Sequence, residues 1–350
     1  MLEKLNLPQK FTILSFVILL IAAVPTTFYL KSVIAELEFA ENEIAGTGPI
    51  IALQSAIQYT QQHRGVAAGV LGGNESLANR LPAIQTNLGN AINAVDVKLK
   101  ESGLSTQVVS SWTASKQRLT AIQQAVNGRQ LNLPESTAEH TQLIASIMLV
   151  AEQVQDETGL SLDPVAASYF LMSASMMNAP KLAENMGQMR AVGTGYLSRG
   201  TLSEDGRTRL TGMYSNVNLN FSELMRNIEK ATSSDPVMKA ALETKASEVK
   251  AQIDRTLAIT MQRLINAQEL TLAAPDFYEE FTNTINGLYL FNETAIESLV
   301  GALNMRASNL QQSLYLMIGL MLLALVTIAG LSFVFLRSIS KPLENAIEIA

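Results

Sequence analysis

Apolar residues follow two patterns along this chain. Two runs are apolar all round. Residues 11–30, FTILSFVILLIAAVPTTFYL, and residues 313–336, SLYLMIGLMLLALVTIAGLSFVFL, carry no charged side chain. Each is long enough to cross a hydrocarbon core of about 30 Å as a helix. Between them, apolar residues recur at steps of three and four, the period of helices with one buried face. Leu77, Leu81, Ile84, Leu88, Ile92, Val95 and Leu99 make one stripe. Val108, Trp112, Leu119, Ile122 and Val126 make a second, with Ser115 on the same face. Leu143, Ile147, Val150 and Val154 make a third, and Leu210, Met213, Val217, Phe221, Leu224 and Ile228 a fourth. Breaks are predicted at GTGP (46–49), GGNES (72–76), ESG (101–103), NLP (132–134), LDP (162–164), SSDP (233–236) and AAP (273–275). No stretch alternates with the period of two that a half-buried strand requires.

The segment between the runs repeats itself. RGVAAGVLG from Arg64 aligns without gaps on RAVGTGYLS from Arg190, and Gln62 falls on Gln188. PESTAEHTQLI from Pro134 aligns on PDFYEEFTNTI from Pro275, with Pro, an acid, Glu, Thr and Ile shared. The offset grows from 126 residues at the arginines to 141 at the prolines, so the second copy should have longer middle helices. Two motifs in the same order point to duplication. The predicted fold is therefore all-α, with two transmembrane helices flanking a domain of two four-helix-bundle units. The expected boundaries are a cytoplasmic tail at 1–10, a first span at 11–31, bundle units at 32–157 and 158–312, a second span at 313–336, and a linker from 337 to 350.

Charge sets the orientation. Lys4 and Lys10 precede the first run, and Arg337 and Lys341 follow the second, which places both ends in the cytoplasm and the long middle segment outside. Lys31 lies on the other side, but long translocated domains override single charges. The first run also satisfies the length of a cleaved signal peptide, with small residues at IAAV; those lie inside the apolar run, which favours an uncleaved anchor. The chain has 350 residues, 48% of them hydrophobic, and a net charge of −6, so no basic field points to nucleic acid. It has no cysteine, which removes disulfides and thiolate metal sites.

Catalytic constellations are not found. There is no His-Glu-x-x-His, no Cys/His cluster and no nucleophile elbow. GTGYLSRG (193–200) follows no predicted strand and is not a phosphate loop. Glu139 and His140 read as an exposed helix face, Tyr169 and Trp112 as core, and LMSASMMNA (171–179) as adaptable packing. Asp163 reads as an N-cap with Pro164 at the first helical position. No enzyme activity and no cofactor are expected.

The segment that stands apart is QQHRGVAAGVLGG (61–73), where an arginine sits among small residues. Gly65 and Gly69 are four apart, as are Ala191 and Gly195 beside Arg190, so each pair shares a helix face that a neighbour can approach closely. A guanidinium in such a seam needs an acid or an anion. The plain reading is an ion pair with a bundle carboxylate such as Glu184. The sharper reading is that Arg64, with Arg190, binds a small anion, with Gln61 and Gly65 in the same site.

Two resemblances add to this. RSISKPLENAIEIA (337–350) follows the second run with Ile339, then Pro342 and Leu343, then Ala346 and Ala350 at coiled-coil-like spacing. It resembles the opening of a HAMP linker, and the whole layout resembles a bacterial methyl-accepting chemotaxis receptor. The middle segment is similar to the nitrate- and nitrite-sensing double four-helix bundles. There a Gln-x-x-Arg-Gly segment, matched here by Gln61 to Gly65, lies in a bundle helix, and interface arginines bind the anion; His63 replaces the usual acid before the arginine. The resemblance implies a two-pass receptor of the bacterial inner membrane that binds an anion such as nitrate or a carboxylate in the periplasm. It further implies a homodimer that signals to a cytoplasmic chemotaxis kinase and adaptor through an output domain beyond residue 350. The same sensory front could instead serve a histidine kinase or a cyclic-dinucleotide cyclase. A third reading is a helical membrane scaffold that does not signal.

Overall fold

A computed structural model describes residues 7–72, 78–335 and 337–338. The HAMP-like residues Ile339 to Ala350, Leu77 and most of the GGNES break lie outside them. Every regular element among the described residues is helical. In chain order these are α1 (Leu7–Leu71), α2 (Leu81–Glu101), α3 (Thr106–Asn127), α4 (Leu133–Thr158), α5 (Ala166–Met172), α6 (Ala179–Arg199), α7 (Glu204–Ser234), α8 (Pro236–Thr260) and α9 (Ala274–Phe335). A π-helical turn, Ser173–Asn178, joins α5 to α6, and another, Met261–Ile265, extends α8. The chain divides into two compact units, Met1–Glu41 with Asn304–Ala350, and Asn42–Leu303.

The first unit holds the two uncharged runs as helix. Both α1 and α9 are long and apolar enough to cross a membrane. Large apolar side chains such as Phe16, Ile21, Phe28, Leu323, Val326 and Phe333 are exposed along them. Ser15 Oγ and Ser332 Oγ hydrogen-bond at 2.8 Å.

The second unit is built from the amphipathic stripes. Val108, Trp112, Ser115, Leu119, Ile122 and Val126 are the buried residues of α3, the predicted stripe without change. Leu143, Ile147, Val150 and Val154 are buried on α4, and Leu210, Val217, Phe221, Leu224 and Ile228 on α7. Trp112 packs in the core and donates its indole N–H to Asp96 at 2.6 Å. Side-chain caps open α3, α4, α7 and α8. Asn132 and Glu135 form a reciprocal capping box on α4, and Asp235 caps α8 ahead of Pro236. Helices α7 and α8 have 31 and 25 residues against 21 and 22 for α2 and α3.

Three local expectations are corrected. No break occurs at 46–49; α1 runs through it. Gly46 serves close packing instead, since a Cβ there would collide with Thr158 Oγ1 and lie 3.0 Å from Leu160. Pro49 has no N–H for the carbonyl of Ala45, but Ser102 Oγ donates to that oxygen at 3.0 Å. After LDP, helix α5 starts only at Ala166, because Asp163 Oδ1 accepts from Val165 N at 2.9 Å and closes a turn rather than a cap. Tyr169 is 37% exposed and is not a core residue.

Of the Met-rich run, Met172 and Met176 are buried as expected and Met177 is exposed, and the run passes through the π-helical turn. The cause is Pro180. Ala179 N donates to Ala174 O, and Pro180 has no N–H for Ser175 O. Gln54 Nε2 from α1 fills that place at 2.9 Å, while its Oε1 accepts from Asn292 Nδ2 on α9 at 3.0 Å. This layer ties α1, the π turn and α9 together.

Candidate functional site

Seven residues further along α1 than Gln54 comes Gln61, then Arg64, at the helical spacing that keeps both on one face. Both are buried. Arg64 meets Glu184 of α6 in a bidentate pair, Nη1 to Oε1 at 2.5 Å and Nη2 to Oε2 at 3.0 Å. Gln61 Nε2 donates to Oε2 at 3.0 Å, and Gln188 Nε2 donates to Oε1 at 2.7 Å. Glu184 thus accepts four hydrogen bonds, two at each oxygen. Tyr289 of α9, itself buried, donates its hydroxyl to Gln61 Oε1 at 2.7 Å. Burial, and then the charge of Glu184, push the Tyr289 phenol up from its ordinary value.

Arg190, one and a half turns beyond Glu184 on α6, is placed differently. Its Nη1 donates to Thr282 Oγ1 at 2.7 Å, and its guanidinium stacks over the Tyr278 ring at 4.6 Å from the centroid. Among the described residues no carboxylate pairs with it. Its Nε and, one turn on, Thr194 Oγ1 are withdrawn from solvent without hydrogen-bond partners. Burial pushes the Arg190 guanidinium below its ordinary value; Tyr278 opposes this, Arg64 adds to it, and Glu184 opposes it. An arginine keeps its proton in such a place, so the guanidinium stays charged with its Nε unsatisfied.

The two arginines have matching partners. Arg64 Nη1 also donates to Thr141 Oγ1 at 3.0 Å, and Thr141 and Thr282 are the aligned threonines of the Pro134 and Pro275 motifs. Each threonine in turn donates to the carbonyl one turn back, Thr137 O at 2.8 Å and Tyr278 O at 2.7 Å. Glycines flank both guanidinium groups. A Cβ on Gly65 would lie 3.8 Å from Arg190 Nη2, and one on Gly187 would lie 3.2 Å from Arg64 Nη2. The site therefore joins α1, α4, α6 and α9. Of the residues singled out in the sequence, Gln61, Arg64, Gly65 and Arg190 come together here, and Arg64 has the Glu184 partner that the plain reading named. Gln188, Tyr278, Thr282 and Tyr289 were not read as site residues. The aligned Thr141 and Thr282 were visible in the repeat, and Gln188 in its match to Gln62.

Close packing beside Arg190 comes from Gly193, not from the Ala191 and Gly195 pair. Ala191 is exposed, whereas a Cβ on Gly193 would lie 2.5 Å from the Phe277 ring.

His63 and His140 are fully buried, which corrects the exposed face expected around His140. His140 Nδ1 lies 2.6 Å from Ser136 O, an acceptor, so it carries the proton and leaves Nε2 to accept from His63 Nδ1 at 2.8 Å. His63 Nε2 has no partner. Burial, and secondarily His140, lower the His63 pKa to about 3; burial lowers that of His140 to about 4. The folded pair excludes protons that the unfolded chain binds below pH about 6.5. Stability is then full above that pH and falls as pH drops toward 4, by up to about 2 kcal/mol per histidine at pH 5. The helical melting midpoint should fall between pH 7.5 and pH 5. The fall should be smaller in the double variant His63→Met, His140→Phe, which installs the residues found at the aligned positions, Met189 and Phe281. An equal fall in both proteins would refute the assignment.

A buried arginine, Arg64, and a half-buried one, Arg190, are thus gathered where four helices of an all-α bundle meet. The profile of the nitrate and nitrite sensing family matches residues 55–300, and the chain belongs to that family. Its fold is similar to that of the NasR transcription antiterminator, with a TM-score of 0.62, 17% identity, and 91% of this chain and 85% of that chain covered. Among curated protein sequences none matches the chain.

Proposed function

We propose that this chain is the sensory part of a two-pass chemoreceptor in a bacterial inner membrane, with Asn42–Leu303 as a periplasmic sensor of nitrate or nitrite. The observation that carries the reading is Arg190, a guanidinium that no carboxylate pairs with among the described residues, with a buried Nε that lacks an acceptor, in a member of the nitrate- and nitrite-sensing family. Nitrate offers three oxygens in a plane, which suits the planar fork of an arginine. Gln61, Arg64 and Gly65 complete the surroundings. The matching pairs Arg64 with Thr141 and Arg190 with Thr282 support an origin by duplication of one four-helix unit, over the boundaries expected from the sequence.

The uncharged stretches of α1 and α9 cross the membrane, and Lys4, Lys10, Arg337 and Lys341 hold both ends in the cytoplasm. Ligand binding biases the positions of these helices, and the HAMP-like segment 337–350 passes the bias on, within a homodimer, to a chemotaxis kinase and its adaptor. Coupling free energies of this kind are about 1–3 kcal/mol. The chain reports on its ligand and does not transform it.

Nitrate titrated into the full chain in lipid nanodiscs, at constant ionic strength with chloride, tests the reading. A hundredfold excess over the dissociation constant adds about 2.7 kcal/mol and should raise the melting midpoint by roughly 5–10 °C. An unmoved midpoint with millimolar nitrate and with nitrite would count against it.

A further inference from the structure

The anion site contains a charge that no anion supplies. Glu184 sits beside both arginines and accepts from Arg64 twice, from Gln61 and from Gln188. With two donors at each oxygen it is held in place and cannot easily swing away. After Tyr278, the groups whose fields reach Arg190 are Arg64 and Glu184. Two guanidinium groups and one carboxylate leave a single positive charge in a place largely withdrawn from water.

We infer that Glu184 sets the charge class of the ligand, so that the site accepts a monoanion and rejects a dianion. The inference rests on the anion-sensing reading above and names the residue that decides which anion is sensed. A monoanion at Arg190 brings the buried group of charges to neutrality. A dianion would leave one negative charge buried and uncompensated, which is costly at low dielectric. Among the described residues of the cluster, Gln61, Gln188 and Thr282 carry no charge and can bond either kind of anion. Gly187 and Gly65 let the Nη2 groups of Arg64 and Arg190 come close to the backbone, since a Cβ at either would lie within 4 Å of the guanidinium.

Glu184→Gln keeps the shape and removes the charge, which frees Arg64 and takes the centre from one positive charge to two. The test titrates nitrate, perchlorate and sulfate into the full chain in nanodiscs, for the wild type, Glu184→Gln and Glu184→Asp. Perchlorate and sulfate share a tetrahedral shape and differ by one charge, which separates charge from size. The wild type should bind nitrate at least tenfold more tightly than sulfate. Glu184→Gln should raise sulfate affinity relative to nitrate at least tenfold over the wild type, and Glu184→Asp should keep the wild-type order. A sulfate-to-nitrate ratio that Glu184→Gln leaves unchanged overturns the inference while the anion-sensing reading stands. Should Glu184→Gln fail to fold, sulfate binding to the wild type as tightly as nitrate overturns it equally. A wild type that binds none of the three anions removes the sensing reading, and this inference with it.

Discussion

Replacing Arg190 with alanine is expected to abolish measurable nitrate binding and to leave the protein folded. The guanidinium offers charge-assisted hydrogen bonds worth about 1.5–3 kcal/mol, so their loss alone weakens binding roughly 10- to 150-fold. Stability should hold, because no carboxylate depends on Arg190 among the described residues and Thr282 Oγ1 still donates to Tyr278 O. Removal of a half-buried cation that no carboxylate balances can even raise the melting midpoint. Calorimetric titration checks the first part and helical melting the second. An Arg190→Ala protein that binds nitrate within twofold of the wild type would make Arg190 a structural residue only.

Arg64→Ala should do the opposite in emphasis. It strands Glu184 with two amide donors and no cation in a buried place. Breaking a buried pair from one side costs about 3–5 kcal/mol. The full chain should therefore melt well below the wild type, and Thr141 loses a donor as well. The double variant Arg64→Ala, Glu184→Gln removes both charges and should recover much of the loss. If the single and double variants melt together, the pair does not hold the helices in the way described. The contrast separates the two arginines, which the repeat makes look equivalent. Arg64 belongs first to the fold, and Arg190 first to the ligand.

That contrast shows what a linear sequence can and cannot reveal. The stripes of α3, α4 and α7 were legible because a helix with one buried face writes its period into every turn. The arginines were legible because a charge among small residues is costly. Their unequal roles were not, since these depend on whether a carboxylate from another helix lies within reach. Glu184 could be named only as one candidate among several.

The prolines tell the same story. Pro49 reads locally as part of a break, yet the helical path continues through it, and it continues through Pro180 as well. The orphaned carbonyls of Ala45 and Ser175 take donors from Ser102 and Gln54, residues distant in sequence. His140 was misread for a related reason. Its burial depends on His63 of α1, and an exposed face was the simplest reading of Glu139-His140 in isolation.

The central claim is that Arg190 holds the anion while Glu184 occupies Arg64. An experimental structure of the full chain with nitrate bound tests it most directly. The account predicts nitrate oxygen atoms within hydrogen-bond distance of the Arg190 guanidinium, Nε included, with the Arg64 and Glu184 pair intact. Nitrate seated on Arg64 with Glu184 displaced, or bound away from both arginines, would contradict it.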